Sequence, residues 1–553
     1  LGLQLAAGLA APAPSDAAAG ALEKHVAHLA SEELEGRLTG TAGAQAAADY
    51  LAAELKELAV RPLPGHDDLR LPFEFTAGTN DAGTSLELRA DDAEQAWTGA
   101  DTVQALSFSD NGSVTAPVVF AGYGLVVPDG QELSYDSYAT LDVEGKIALV
   151  LRYFPEEMDQ ESRSVLARYS SLRRKAMQAR EHGAVALLVV TGPASPNAGE
   201  TVPMAFDTAI SGSGIVAASI SGAVAERLFE RVEGKTLATA QSELDDGNPH
   251  ITGFEIPGIE LTLETVVERE RRTGHNVAGM LPGGEAGSVD KPWVVLGAHY
   301  DHLGRGDSPN SLAREEEKGG IHYGADDNAS GVAAVLEAAA WLAERELRRN
   351  VVIAFWSGEE LGLLGATAFL EEKVVDPAQV AAYLNLDMVG RMADDKLTVQ
   401  AVGSSSAWPA VVEQVNVPLG LDLQIVADPY LPTDSTAFNS AEVPTLNLFT
   451  GGHEDYHRPT DTAEKINYAG VARIARFGAL LTRKVASMEP PPEFVKAEPP
   501  TEQQGSRDAV RAFTGTIPDY TTEVEGLRLS GVIGGGPAEE AGLQEGDVIV
   551  EFG

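Results

Sequence analysis

The stretch WVVLGAHYDH, residues 293–302, decides the fold, because a short apolar strand in it runs directly into His299 and Asp301. Similar apolar segments follow at residues 351–355, 382–386 and 446–449. The apolar face of a helix between the first two strands consists of Val332, Val335, Leu336 and Ala339. Strands that alternate with helices are typical of parallel sheets. The sequence therefore predicts an α/β domain with a mixed, largely parallel sheet flanked by helices.

Acidic and imidazole side chains follow the ends of all these strands. They are His299 and Asp301, Glu359 and Glu360, Asp387, and His457, with Asp326 and Asp327 in a turn before the helix. Singly, each has an ordinary explanation, such as a solvated surface pair or a helix N-cap. Because the carboxyl ends of the strands form the ligand crevice of an open α/β sheet, we expect these residues to converge on one site.

Composition narrows the chemistry of such a site. The chain has 553 residues, enough for about three or four domains, and it has no cysteine, so any metal ion must be held by His, Asp and Glu. That ligand set suits a catalytic zinc ion. A formal net charge of −43 argues against nucleic acid or an anionic membrane as a partner, because both require basic patches.

The N-terminal residues 1–11 are small and apolar, which is typical of the end of a signal peptide. We assign residues 1–20 to a signal-peptide remnant or linker and expect a secreted or periplasmic protein. The alternative is a low-complexity terminal linker. Since no later stretch of about 18 apolar residues occurs, we expect no transmembrane segment.

The motifs together resemble the co-catalytic zinc aminopeptidases of the bacterial leucyl aminopeptidase and transferrin receptor type. The resemblance covers about residues 22–110 and 254–488. Its motifs are GAHYDH (297–302), GADDNASG (324–331), SGEE (357–360), NLDMVG (385–390) and YH (456–457). The family also contains carboxypeptidases, glutaminyl cyclases and the non-catalytic transferrin receptor.

The resemblance implies two zinc ions and a function, hydrolysis of the N-terminal peptide bond of peptides. One zinc would be bound by His299 and Asp387, the other by Glu360 and His457, and Asp326 would bridge the two. Asp327 would follow Asp326 through a cis peptide bond.

The family also implies catalytic roles for three neighbours of these ligands. Asp301 would hydrogen-bond His299, as second carboxylates around a metal do. Glu359 would be the general base acting on a metal-bridging hydroxide, and Tyr456 would donate to the oxyanion.

Several alternatives stay open at this point. A carboxypeptidase or dipeptidase could use the same centre, with Arg391 holding a substrate carboxylate unless it pairs with an acidic neighbour. A non-catalytic binding protein is the alternative from another class, and a glutaminyl cyclase would use one zinc. The charged loop 305–320 is interpreted as a solvated insertion rather than a lining of the cleft. The additional histidines, interpreted as rim residues, are His302, His322 and His453.

The remaining chain predicts accessory domains. Residues 111–253, with FAGYG (120–124) and GKIALV (145–150), resemble a protease-associated (PA) domain inserted between peptidase parts 21–110 and 254–488. Such a module restricts access or selects substrates, or is purely structural. A proline-rich linker, 489–508, leads to residues 509–553, which resemble the first part of a PDZ domain, a module that binds peptide termini. We expect no peptide binding by this partial domain, and any PDZ partner is unknown.

Overall fold

The computed structural model of the chain describes most of its residues. These are residues 16–91, 93–127, 133–155, 157–158, 160–204, 213–245, 253–284, 291–306 and 310–496, and in the C-terminal stretch 516–518, 527–532, 538, 541–544 and 547–550. The chain divides into two compact units, of which the second comprises mainly residues 75–272.

The first unit begins with two helices and a strand, continues after the insert, and contains the predicted sheet. Its N-terminal elements are α1 (Asp16–Leu29), α2 (Ala42–Glu57) and β1 (Arg70–Asp81). The elements of the insert are β2 (Ser85–Ala90), β3 (Ala93–Thr98), β4 (Val103–Ala105), β5 (Gly112–Phe120), β6 (Ile147–Leu151), α3 (Gln160–Tyr169), α4 (Leu172–Glu181), β7 (Ala186–Val190), β8 (Val216–Ile220), α5 (Gly222–Phe229), α6 (Leu237–Asp245) and β9 (Phe254–Thr265).

The first unit then resumes. Its elements after the insert are β10 (Val267–Leu281), β11 (Trp293–His299), α7 (Gly331–Ala343), β12 (Val351–Trp356), α8 (Leu364–Glu371), β13 (Val380–Leu386), β14 (Lys396–Gln400), α9 (Trp408–Asn416), β15 (Asp422–Ile425), α10 (Asp434–Ser440), β16 (Thr445–Phe449) and α11 (Tyr468–Ala486).

The sheet of the first unit has the order β1-β10-β12-β11-β13-β16-β14-β15. Its four central strands, β12, β11, β13 and β16, pair in parallel, whereas β10 and β14 pair antiparallel with their neighbours in that centre. Every residue of β11, β12 and β13 is buried. Such continuous apolar strands are typical of a parallel sheet covered on both faces. The predicted mixed, largely parallel α/β fold is confirmed.

Helices cover this sheet because their apolar faces complete its core. Ala333 and Val335 of α7 and Phe477 of α11 are fully buried in one cluster with the side chains of β11 and β13. On the other face, Trp356 and Phe438 of α10 belong to a second cluster. The packing places the carboxyl ends of the central strands at a single edge, where the loops that follow them meet.

The insert has a sheet of its own, with the order β3-β2-β9-β5-β6-β7-β8-β4. This sheet is wider than the predicted boundaries 111–253, because β2, β3, β4 and β9 also belong to it. Leu86 pairs with Leu263 and Leu88 with Leu261, and all four side chains are buried in the core of the insert. The predicted boundaries are therefore corrected outward. The strands that flank these boundaries, such as β2 and β9, alternate apolar and polar residues. Their apolar faces can be buried only against the core of the insert.

The C-terminal stretch contributes three short antiparallel strands, β17 (Thr516–Pro518), β18 (Leu527–Val532) and β19 (Val548–Ile549). Much of the predicted partial PDZ domain and linker lies outside the described residues, so both stay predictions. The N-terminal residues 1–15 also lie outside them, and so export stays a prediction. Among the described helices, none combines the length and apolar character needed to cross a membrane.

Candidate metal centre

Four of the five predicted metal ligands, all except Asp326, meet at the carboxyl edge of the first sheet. His299 is the last residue of β11, Asp387 directly follows β13, and Glu360 lies four residues after β12. Parallel pairing aligns these strand ends, with Gly297 opposite Asn385 and His299 opposite Trp356. The register of the sheet therefore brings together side chains that are far apart in the sequence.

One cluster of ligand atoms surrounds His299. Its Nε2 lies 3.2 Å from Asp327 Oδ1 and 3.3 Å from Asp387 Oδ1. All three residues are buried. We call these three atoms the first trio.

A second cluster uses the other oxygen of the same aspartate. His457 Nε2 lies 3.3 Å from Asp327 Oδ2 and 3.2 Å from Glu360 Oε2. His457 and Glu360 are buried as well. We call these three atoms the second trio.

The histidine–carboxylate separations in both trios fit a zinc ion. Zinc binds nitrogen and oxygen ligands at about 2.0–2.2 Å in tetrahedral geometry, so neighbouring ligand atoms lie roughly 3.3–3.5 Å apart. Three carboxylates and two imidazoles would hold two divalent ions, and each ion would keep an open position. Without cations, three buried carboxylates would face each other at a high desolvation cost. The donor set therefore fits the predicted zinc ions.

The residue whose carboxylate lies between the two histidines is Asp327, and not the predicted Asp326. Asp326 Oδ1 accepts hydrogen bonds from Ser330 Oγ at 2.9 Å and from the Gly390 amide at 2.5 Å, while its Oδ2 lies 3.0 Å from His453 Nε2. The Asp326 carboxylate thus joins its own turn to the loops that contain Gly390 and His453. The cis peptide bond also lies one residue later than predicted, between Asp327 and Asn328.

The second cluster contains another imidazole, His302, which is fully buried rather than at the rim. His302 Nδ1 lies 2.6 Å from Glu360 Oε1 and 3.9 Å from Asp327 Oδ2. A separation of 2.6 Å fits a hydrogen bond and is too short for two ligands of one zinc. We therefore assign His302 as a donor that fixes Glu360 with Oε2 turned towards the second trio.

The carboxylates around the trios make the site strongly attractive for cations. Burial alone would lower the pKa of His299 and His457, but nearby carboxylates, chiefly Asp387 for His299 and Glu360 for His457, outweigh it and raise both pKa values well above the usual range. Burial would likewise raise the pKa of Glu360, but His457 and His302 together outweigh it and lower this pKa to about 2. Positive charge is thus favoured at both trios.

The three predicted catalytic neighbours all lie beside the trios. Burial raises the pKa of the Glu359 carboxyl well above its usual range, which suits a group that accepts a proton during a reaction. The Tyr456 ring stacks on His457 with ring centroids 3.8 Å apart. Asp301 contacts His299 Nδ1 through its main-chain carbonyl at 3.3 Å, whereas its carboxylate is 3.8 Å away. The predicted carboxylate hydrogen bond to His299 is corrected accordingly.

The carboxylate of Asp301 instead supports the general-base candidate. Its Oδ1 accepts from the Glu359 amide at 3.2 Å, and its Oδ2 accepts from Thr39 Oγ1 at 3.0 Å. Asp301 therefore joins the end of β11 to the loop that carries Glu359.

Two residues that position the centre were not predicted from the sequence. Asp461 Oδ2 accepts from the amides of Asp326 and Asp327, at 2.8 and 3.1 Å. Arg37 is fully buried and donates to the carbonyls of Tyr300 and Gly324, at 2.7 and 3.0 Å. These hydrogen bonds join a side chain to main-chain atoms. Since every residue has the same main-chain atoms, such bonds leave no recognisable pattern in the sequence.

The conformation of Gly324 explains why the turn before Asp327 begins with glycine. Its φ of +56° lies in the left-handed region, and an added Cβ would lie 2.2 Å from the Asp327 carbonyl oxygen and 2.6 Å from the His302 ring. A side chain at this position would displace both neighbours.

Arg391 is engaged by acidic neighbours. Its guanidinium nitrogens lie 3.2 Å from Asp455 Oδ2 and 2.9 Å from Asp461 Oδ1. Of the two roles that the sequence left open for Arg391, the structure shows the ion pair.

Comparisons with known proteins match two parts of the chain to protein families. Residues 276–482 match Peptidase family M28, and residues 114–228 match the PA domain. Leucine aminopeptidase 2 of Trichophyton rubrum is 26% identical over 366 residues, which cover 60% of this chain and 68% of that protein. The probable leucine aminopeptidase 2 of Trichophyton verrucosum is 26% identical over 342 residues, covering 56% and 63%.

This chain is also similar to solved protein structures. An aminopeptidase from Aneurinibacillus sp. strain AM-1 is 19% identical and covers 84% of this chain and 92% of its own, with a TM-score of 0.48. The M28 match includes all five residues of the two trios, and the PA match lies within the inserted unit.

Proposed function

We propose that this chain, in which residues 276–482 match peptidase family M28 and residues 114–228 match the PA domain, is a two-zinc aminopeptidase. Its reaction is hydrolysis of the N-terminal peptide bond of a peptide. The observation that carries the two-ion part of the proposal is the carboxylate of Asp327, whose two oxygens face His299 and His457 at 3.2 and 3.3 Å.

The chain's own residues supply the positioning and the proton transfer. His299 and Asp387 would hold one ion, His457 and Glu360 would hold the other, and Asp327 would offer one carboxylate oxygen to each. When bound, zinc polarises the scissile carbonyl and lowers the pKa of water. The Glu359 carboxylate accepts the proton of the attacking water and delivers it to the leaving amine. The Tyr456 hydroxyl donates a hydrogen bond to the oxygen of the scissile carbonyl, where negative charge develops.

The engagement of Arg391 favours an aminopeptidase over a carboxypeptidase. A carboxypeptidase requires a cation for the C-terminal carboxylate, and the candidate that the sequence offered is paired with Asp455 and Asp461. A free α-ammonium group is instead complementary to the carboxylates of Glu359 and Asp387 at the trios. The leucine aminopeptidase names of the relatives point to the same direction of cleavage.

The proposal is tested by comparing leucine p-nitroanilide with its N-acetylated form. We expect hydrolysis of the free-amine substrate alone, loss of activity with a chelator, and full recovery with two equivalents of zinc. Removal of residues from the C-terminus of N-blocked peptides would overturn the aminopeptidase assignment. Recovery with a single equivalent would overturn the two-ion centre.

The role of Glu359 is tested separately with Glu359→Gln. Loss of a general base lowers kcat by about 10²- to 10⁴-fold, while zinc binding persists because Glu359 belongs to neither trio. Glu372→Gln, at an exposed position after α8, is the matched control and keeps wild-type activity. Wild-type kcat in Glu359→Gln would remove Glu359 from the mechanism.

We also propose that the protein is exported, as residues 1–11 predict. Fractionation of cells that express the natural gene tests this. Protein outside the cytoplasm is the expected result, and protein confined to the cytoplasm contradicts it.

A further inference from the structure

The described part of the charged loop, residues 310–320, lies against the second trio. Asn310, Ser311 and Leu312 are half-buried, and all three make hydrogen bonds to neighbouring loops or side chains. The interpretation of this loop as a solvated insertion is therefore wrong for its described residues near the site. Two of these residues, Asn310 and Leu312, contact the loop residues of the second trio, which are Glu360 and His457.

His457 needs external support, because its own backbone is strained. Its φ is +55°, in the left-handed region that costs non-glycine residues free energy. The Leu312 amide donates to the His457 carbonyl at 3.0 Å. His457 Nδ1 lies 2.8 Å from the Asn310 carbonyl oxygen, which can accept a hydrogen bond only from a protonated Nδ1. This contact leaves Nε2 with its lone pair available for a metal ion, as the hydrogen-bonded second nitrogen of a ligand histidine does.

The side chain of Asn310 reaches the other loop residue of the second trio. Its Nδ2 donates to the main-chain carbonyl of Glu360 at 2.9 Å. Asn310 thus joins Glu360 and His457, which come from different strand ends, through its side chain and its main chain.

A second contact fixes the far end of this loop to the residue after His457. Arg458 donates to both carboxylate oxygens of Glu317, and Glu317 Oε2 also accepts from the Arg314 amide at 2.8 Å. Bidentate arginine–carboxylate pairs fix orientation as well as contributing energy. By contrast, the neighbouring Glu315 is exposed and contacts Lys318, which is also exposed.

We propose that residues 310–320 form a positioning element for the second trio, with Asn310 as its central residue and Glu317 as its anchor. Removing the side-chain contacts of either residue lowers the affinity for the zinc ion at His457 and Glu360. The affinity for the zinc ion at the first trio is unchanged. The proposal rests on the two-zinc centre proposed above.

Zinc affinity of the whole protein, measured by competition with a chelator, tests this with Asn310→Ala, Glu317→Ala and the control Glu315→Ala. We expect one zinc with wild-type affinity and a second bound about 10- to 100-fold more weakly in the first two variants, as for other residues that orient metal ligands. Glu315→Ala should bind both ions as the wild type does. The thermal midpoint of each metal-free variant shows whether the fold is retained.

Two results would overturn the positioning role. One is wild-type affinity for both ions in Asn310→Ala and Glu317→Ala. The other is equal weakening of both ions in these variants. A wild-type protein that binds fewer than two zinc ions would instead refute the proposed centre itself, and the proposal with it.

Discussion

The two trios share Asp327, yet the chain supports them in different ways. In the first trio, His299 ends β11 and Asp387 follows β13, and the Asp387 amide still donates to Leu448 of β16 at 3.0 Å. These two ligands are therefore held by the hydrogen bonds of the sheet itself. In the second trio, Glu360 and His457 lie on loops, and their contacts come from His302 and from residues 310–312.

From this difference we expect the centre to have one rigid half and one adjustable half. Strand ends in a parallel sheet are fixed by many shared contacts, so a single substitution near the first trio has a limited effect. Loop ligands depend on a few specific hydrogen bonds, so substitutions near the second trio act on it strongly and selectively. The following variants test that contrast, beginning with the residue common to both halves.

The largest effect is expected from Asp327→Asn, because both trios lose an anionic oxygen. We expect zinc affinity to fall at both positions and kcat/KM to fall by at least about 10³-fold, a loss of roughly 4 kcal/mol of transition-state stabilisation. Asp326→Asn is the matched comparison and should retain two zinc ions. If Asp326→Asn bound less zinc than Asp327→Asn, the bridging residue would be Asp326.

A smaller effect on both trios is expected from Asp461→Ala. This variant removes the acceptor of two amides in the loop that carries Asp327, at a cost of about 1–3 kcal/mol in the free energy of unfolding. Both ions should bind more weakly, because Asp327 serves both. Asp461→Asn retains an acceptor oxygen and should lose less. Urea unfolding and chelator competition measure the two effects, and a loss at one ion alone would contradict the shared role.

The next variant, His302→Gln, acts on the second trio only. The hydrogen bond from His302 Nδ1 to Glu360 Oε1 is lost or lengthened, so the second ion should bind about 10- to 100-fold more weakly. The first ion should keep its affinity in the same chelator titration. His66→Gln, at an exposed histidine, is the control. Loss of both ions in His302→Gln would show that the two halves are not independent.

The smallest effect is expected from Thr39→Val, on the side of the first trio. Asp301, whose main-chain carbonyl contacts His299 Nδ1, loses one of two hydrogen-bond donors to its carboxylate, worth about 1 kcal/mol, so affinity for the first ion should fall by about fivefold at most. The second ion should be unaffected. If this variant lowered the affinity for the second zinc ion alone, Thr39 and Asp301 would not support the first trio.

The sequence predicts the sheet and the convergence of the ligands because both follow from short apolar runs that end in polar residues. It does not separate Asp326 from Asp327. Adjacent side chains point in different directions, and only the local backbone decides which of the two carboxylates faces the histidines. Family resemblance therefore placed the bridge one residue too early.

The supports of the centre are less visible in the sequence. Asp461 accepts from the amide of Asp326, 135 residues away, and Arg37 donates to the carbonyl of Tyr300, 263 residues away. Asn310 lies in a charged, polar loop whose composition is that of a solvated segment. Its contacts to Glu360 and His457 depend on the folded path of that loop. The boundaries of the insert were similarly placed too narrowly, because the pairing of β2 with β9 joins strands that are distant in the sequence.

The most direct test of the shared bridge is anomalous diffraction at the zinc edge from crystals grown with zinc. We expect two peaks about 3.5–4 Å apart, each about 2.0–2.2 Å from one oxygen of Asp327, with His299 and Asp387 at one peak and His457 and Glu360 at the other. A single peak, or two peaks bridged by Asp326, would contradict the account.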